Sequence, residues 1–291
     1  MCNSSISLRK YLKLYLWIIT YALLINGVFL ISGRIHFGPR LLLSLLPFTN
    51  IHSNSFTSAF MMWYLFIPFL NILLRGITRR QHQLLIMLLL LVFSIYPFVP
   101  VYLNIDNNPI CWFSTVYVIA AYIRKYPDYV YKCESAKVWG GITACLILVA
   151  TASVIALLWL RQNYGLSVSQ YGMIADSDKP LAILIAVSSF LWFKNKKIGN
   201  DGYNKWINIL GGASFGVLLI HSNSFAMRKW LWVDIFDCVG HYNLPLCQLI
   251  LYAIIVVILI YLVCTAIDYA RLTVIEKPFF RWYDKKKDSQ T

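Results

Sequence analysis

The apolar residues of this chain gather into eight long blocks between residues 12 and 268: Leu12–Ser32, Thr57–Leu74, Leu84–Val101, Asn108–Ile123, Val138–Leu160, Lys179–Phe193, Ile207–His221 and Leu246–Asp268. A hydrocarbon core of about 30 Å takes roughly 20 apolar helical residues to cross, fewer where flanking residues snorkel or the bilayer thins. The first, fifth and eighth blocks meet that length outright. The fourth, sixth and seventh are short, and must tilt, pack inside a bundle or extend through polar residues. The pattern predicts an all-α fold, a polytopic transmembrane helical bundle of about eight helices. No polar stretch is long enough to fold separately, so residues 1–291 are read as a single membrane domain.

Composition agrees: 59% of the residues are hydrophobic, 13% are charged and the mean hydropathy is +0.63. A soluble globule cannot hide that much apolar surface. The basic residues then add an orientation, because Lys and Arg stay on the cytoplasmic side of short loops. With the N-terminus inside, the inner segments hold Arg9, Lys10 and Lys13, then Arg75, Arg79 and Arg80, then Arg124, Lys125, Lys132 and Lys137. They also hold Lys194, Lys196, Lys197 and Lys205, and finally Arg271, Lys277, Arg281, Lys285, Lys286 and Lys287, which makes 20 of the 26 basic residues. A miscounted helix would invert every later loop and destroy this asymmetry, so both termini are expected in the cytoplasm. The net charge of +14 follows from topology, and nucleic acid is not expected as a partner.

The outer loops 33–56, 161–178 and 222–245 are the longer ones and carry Gly, Pro, Asn, Ser and aromatics, as a surface that accepts something would. The seven cysteines show no metal or redox spacing; Cys238 and Cys247 share one outer loop, but all seven are read as free thiols and no metal is expected. The residues ahead of Leu12 are short and polar, with no cleavage site after the first block, so that block is expected to be retained as a helix.

Ionisable groups at mid-depth in a bilayer are costly and mark function. Asp268 and Lys179 stand at block ends, where a charge can reach the interface. This disfavours a proton-coupled transporter or ion pump. On the outer side, His221 closes a segment in which Gly212 and Gly216, four apart, allow close helix approach. A histidine there suits a general base or a sugar hydrogen bond, and suits equally an interfacial residue that orients the next loop. The cluster Arg228-Lys-Trp-Leu-Trp232 mixes aromatics with charge, as carbohydrate-stacking sites and membrane anchors both do. On the inner side, Arg9-Lys-Tyr-Leu-Lys13 suits the phosphates of a nucleotide-type donor as well as a topological role.

Five segments taken together resemble the membrane acyltransferase-three superfamily, the bacterial O-acyltransferases that decorate cell-surface glycans. Arg9-Lys-Tyr-Leu-Lys-Leu-Tyr-Leu-Trp17 resembles the basic stretch leading into the family's third helix. Met62-Trp-Tyr-Leu-Phe-Ile-Pro-Phe-Leu-Asn-Ile-Leu-Leu74 resembles its aromatic helix with Pro, a hydrophobic pair and Asn, and the stretch from Phe113 to Tyr126 resembles its Tyr-Ile-Arg helix end. Ser214-Phe-Gly-Val-Leu-Leu-Ile-His-Ser-Asn223 resembles a late signature, and Ile275-Glu-Lys-Pro-Phe279 the closing segment. The five occur in the family's order and span nearly the whole chain.

The resemblance implies transfer of an acyl group, usually acetyl, from cytoplasmic acyl-CoA (acetyl-CoA in the usual case) to a hydroxyl of a cell-surface glycan or lipid-linked saccharide. It implies a multi-pass protein of the bacterial plasma membrane. It carries donor-phosphate binding onto Lys10 and Lys13, and makes His221 and Asn223 the catalytic candidates on the acceptor side. Family members typically have ten helices, the first with a basic residue about three turns before a histidine thought to be the base. No such helix is found here, so the chain is expected to lack the first two helices. The competing class is a non-enzymatic membrane protein, such as a polysaccharide exporter or an inactive acyltransferase relative.

Overall fold

A computed structural model describes residues 8–44, 55–96, 108–130, 135–165, 169–196 and 204–288. They form α1 (Leu8–Ile31), α2 (Pro39–Ser44), α3 (Ser55–Tyr64), α4 (Ile67–Gly76), α5 (Arg79–Leu90), α6 (Pro109–Lys125), α7 (Pro127–Val130), α8 (Ala136–Tyr164), α9 (Pro180–Asn195), α10 (Lys205–His221), α11 (Phe225–Lys229), α12 (Leu246–Arg271) and α13 (Lys277–Asp288). Among the described residues there is no strand. Where residues are described, each of the eight apolar blocks coincides with helix.

Local chemistry sets the helix ends. Thr78 and Gln81 form a reciprocal capping box at the start of α5, and the Asn204 side chain accepts from the amides of Trp206 and Ile207 to start α10. Pro occupies the first turn of α4, α6 and α9, where its missing N–H costs nothing. Pro68 explains why the second apolar block breaks into α3 and α4: the helix cannot run into a residue without an amide donor. Helix α8 stops at Gly165, whose φ of 63° a residue with a Cβ resists.

Three helices are individually long and apolar enough to cross a bilayer: Arg9–Ile31, Ala136–Tyr164 and Leu246–Lys285. Two broken pairs, Phe56–Tyr64 with Ile67–Gly76 and Lys205–His221 with Phe225–Asn243, raise that to five if each pair is one span. The blocks marked as short in the sequence remain short, at 17, 16 and 17 residues for α6, α9 and α10. Large apolar side chains are exposed along α12, including Leu251, Ile254, Ile258 and Leu262. An apolar exterior of this kind is what lipid contact requires. The chain is an integral membrane helical protein.

The chain divides into two compact units, one spanning Phe66–Tyr203 and the other Ser4–Leu65 with Asn204–Thr291. In the first, α8 and α9 pack as a hairpin: the Thr143 hydroxyl donates to Ser188 Oγ at 3.1 Å, both buried, and Gly140 makes room for the Trp192 indole. Interhelical hydroxyl contacts and small residues are the usual means of helix association in lipid. In the second unit the core joins α1, α3, α10, α11 and α12 through Ile18, Tyr21, Met61, Leu219, Val256 and Ile260, among others. Cys238 and Cys247 are both free thiols.

Candidate functional site

Lys10 and Lys13 lie one turn apart at the start of α1, and Lys277 and Arg281 lie four apart at the start of α13, so each pair shares a helix face. All four line one cavity of about 520 Å³, together with Arg9, Leu272, Glu276, Phe280 and Asp284. That volume falls in the range of small-ligand sites, roughly 300–1,000 Å³. Five cations face two carboxylates, which leaves the wall positive. Two of the cations are held: Arg9 Nη2 donates to Asp284 at 2.8 Å and its guanidinium stands 5.6 Å over the Phe280 ring, while Lys13 Nζ lies 2.8 Å from Glu276 Oε1.

Behind this wall lies a buried chain of charge. Glu276 accepts from Arg271 Nη1 at 2.7 Å, and Arg271 Nε donates to Asp268 Oδ1 at 2.9 Å. The same Asp268 oxygen accepts from Trp17 Nε1 at 2.9 Å and from the Tyr21 hydroxyl at 2.8 Å. The Arg271 guanidinium lies 4.7 Å over the Trp17 ring, a cation–π contact that needs no further counter-ion. Asp268, Arg271 and Glu276 are each 5% exposed or less. Opposite Asp268 stands Gly216 of α10, where any Cβ would overlap the carboxylate. Burying three ions is tolerable only because each is paired and hydrogen-bonded.

This overturns one expectation. The sequence put Asp268 at a helix end, in reach of the interface. Instead the helix runs on through a π-helical stretch, Leu272–Glu276, into α13, and Asp268 lies inside it. Tyr21, which bonds Asp268, is 13 residues beyond Leu8, about 20 Å along α1, so the network reaches well into the depth of that span.

At the other end of α10, His221 is half-buried, and its Nδ1 lies 2.7 Å from the Val217 carbonyl. A carbonyl can only accept, so Nδ1 carries the proton and Nε2 of the neutral ring carries the lone pair. That is the tautomer a general base requires. Trp232 meets the His221 ring edge-on at 6.4 Å, and Asn223 Nδ2 donates to the Leu219 carbonyl at 3.1 Å. His221 lies five residues beyond Gly216 on the same helix, about 7.5 Å along its axis.

The sequence matches the acyltransferase-domain family over residues 4–267. The chain belongs to the acyltransferase-three superfamily. No curated protein and no solved structure matches it. The match runs from before α1 to the last turns of α12, so the helices that carry Lys10, Lys13, Trp17, His221 and Asp268 all belong to this membrane acyltransferase domain.

Of the residues singled out in the sequence, Lys10 and Lys13 come together on one cavity, and His221 and Asn223 sit in consecutive turns at the far end of α10. The aromatic cluster divides: Trp232 goes to His221, whereas Trp230 packs edge-on to Phe29 at 5.7 Å as part of the core. Of the glycine pair, Gly216 makes the close approach and Gly212 meets nothing within 4 Å. Sequence reasoning missed Asp268, Arg271 and Glu276, and counted Lys277 and Arg281 as topology alone. A signal was present: an acid, a base three residues on and an acid five further close a long run without charges.

Proposed function

We propose that this chain transfers an acyl group, acetyl in the simplest case, from cytoplasmic acyl-CoA to a hydroxyl of a cell-surface glycan or lipid-linked saccharide, from the bacterial plasma membrane. The observation that carries the reading is the convergence of Lys10, Lys13, Lys277 and Arg281 on one positive cavity of ligand size. Coenzyme A presents three phosphate groups at its nucleotide end, and clustered ammonium and guanidinium groups are the usual partners of such an anion. Glu276 and Asp284 keep Lys13 and Arg9 oriented without cancelling the charge of the wall.

In this reading His221 Nε2 takes the proton of the acceptor hydroxyl as its oxygen attacks the thioester carbonyl. The tetrahedral intermediate collapses with cleavage of the C–S bond, and the coenzyme A thiolate leaves and is protonated. Asn223 orients the acceptor beside His221, and Trp232 offers a ring face for a sugar. Asp268 fixes Arg271 and, through it, Glu276 and Lys13. The general-base contribution is typically about 10²–10⁴-fold. His221→Ala should therefore bind donor like the parent while O-acylation of the surface glycan, read by mass spectrometry, falls by that factor. An unchanged acyl content would remove His221 from the chemistry.

A further inference from the structure

A second cation cluster lies wholly within the Phe66–Tyr203 unit and is used by nothing described above. Arg75 comes from the last turn of α4, His82 from the first turn of α5, and Arg124 and Lys125 from the last turn of α6. With Asn71 and Tyr117 they line a cavity of about 30 Å³. None of the described lining residues is acidic. This differs from the larger cavity, where carboxylates alternate with the cations. Lys125 Nζ is anchored by the carbonyls of Leu74 at 2.7 Å and Ile77 at 3.1 Å, so its charge is fixed at the cavity rather than swinging free.

His82 supplies the observation that calls for a ligand. It is fully buried, its Nε2 donates to the Val118 carbonyl at 3.0 Å, and its Nδ1 has no partner. With the proton committed to Nε2, Nδ1 is an acceptor facing no donor, which is costly in a buried group. Burial also lowers the pKa of the ring, and the nearby Lys125 lowers it further, so the imidazole stays neutral. A cavity of this size admits two or three water-sized groups at roughly 10–15 Å³ each, the bulk of one phosphoryl group's terminal oxygens or of a small hydroxylated headgroup.

We infer that this pocket binds an anionic phosphate that also carries a hydroxyl donor, as a glycerophosphate headgroup does, with Arg75, Arg124 and Lys125 meeting the charge and His82 Nδ1 accepting from the hydroxyl. Helix ends lie at the depth of lipid headgroups, and basic pockets between transmembrane helices hold such groups elsewhere. The same chemistry is offered by a membrane phosphatidylglycerol and by free glycerophosphate. The site is independent of the donor reading and stands or falls apart from it.

The test uses the full chain, by native mass spectrometry from nanodiscs and by thermal unfolding in detergent. Phosphatidylglycerol should stay bound where phosphatidylcholine is lost. Phosphatidylmethanol, of equal charge but without hydroxyls, should bind two- to tenfold more weakly, the worth of one hydrogen bond. Arg75→Gln with Arg124→Gln should cut phosphatidylglycerol binding at least tenfold. Stabilisation by sn-glycerol 3-phosphate with the same arginine dependence, and no lipid retained, would assign the pocket to the free phosphate. His82→Leu should erase the preference over phosphatidylmethanol; if that variant does not fold, the comparison of the two lipids on the parent chain still decides. Equal retention of all three lipids with no response to glycerophosphate, binding indifferent to the two arginines, or no preference for the hydroxylated headgroup would each overturn the proposal.

Discussion

In the unit built from Ser4–Leu65 and Asn204–Thr291, five cations share a cavity of about 520 Å³ with two carboxylates; in the Phe66–Tyr203 unit, three cations line about 30 Å³ beside a neutral imidazole and no acid. The larger site is pre-ordered by its own counter-charges. Lys13 and Arg9 are already paired, and the pairing continues inward through Arg271 to Asp268. An incoming polyanion there meets cations that are held in place, so little side-chain entropy is lost on binding. The smaller site has no acid to play that part, and backbone carbonyls hold Lys125 instead. A basic cluster at a helix end thus has more than one physical meaning, and the distribution of acids within it tells the meanings apart.

The contrast breaks most visibly at Asp268. Asp268→Ala removes the acceptor shared by Trp17, Tyr21 and Arg271, leaving Arg271 buried with one carboxylate fewer. Loss of one partner from a buried ion pair typically costs about 3–5 kcal/mol, so unfolding in detergent should begin at much lower temperature and the Lys13–Glu276 end of the site should loosen with it. Donor affinity should fall together with stability.

Gly216→Ala probes the same network from α10. The new methyl group meets the Asp268 carboxylate head-on, and overpacking of this kind costs about 1–3 kcal/mol. Gly212→Ala, with nothing within 4 Å, is the matched control and should leave the melting temperature close to that of the parent. In the other unit, Lys125→Met strips the cap from the last carbonyls of α4, which hydrogen-bond energetics values at about 1–2 kcal/mol. Thermal unfolding should register that smaller loss while donor binding stays as it was, since the residue belongs to the other cavity.

How far the sequence foretold this depends on the kind of signal. The apolar blocks were legible because a helix in lipid must be apolar over its length, and each block falls on a helix where residues are described. Lys10 and Lys13 were legible because residues three apart on a helix share a face, and they do line one cavity. Lys277 and Arg281 were not, because a basic residue past the last span reads as an orientation signal whether or not it also lines a site. Asp268 was misread for a different reason: Arg271 and Glu276 look like the polar end of a span, whereas their mutual pairing lets the helix carry them onward as buried charge. Periodicity cannot reveal that two unlike charges cancel. The Gly212 and Gly216 pair had the right spacing for close approach, yet only the member facing α12 makes it.

The central claim is that the positive cavity between the start of α1 and α13 holds the phosphates of the acyl donor. It is tested most directly by the equilibrium affinity of the purified chain for acetyl-CoA, before and after Lys10→Gln with Lys13→Gln. Loss of two phosphate-facing charges should weaken binding by at least tenfold, about 1.4 kcal/mol or more. The weakening should shrink as salt screens the remaining attraction, and removal of the 3′-phosphate from the donor should cost the parent more than the variant. An affinity that is the same in parent and variant at low salt would contradict the account and return both lysines to a purely topological role.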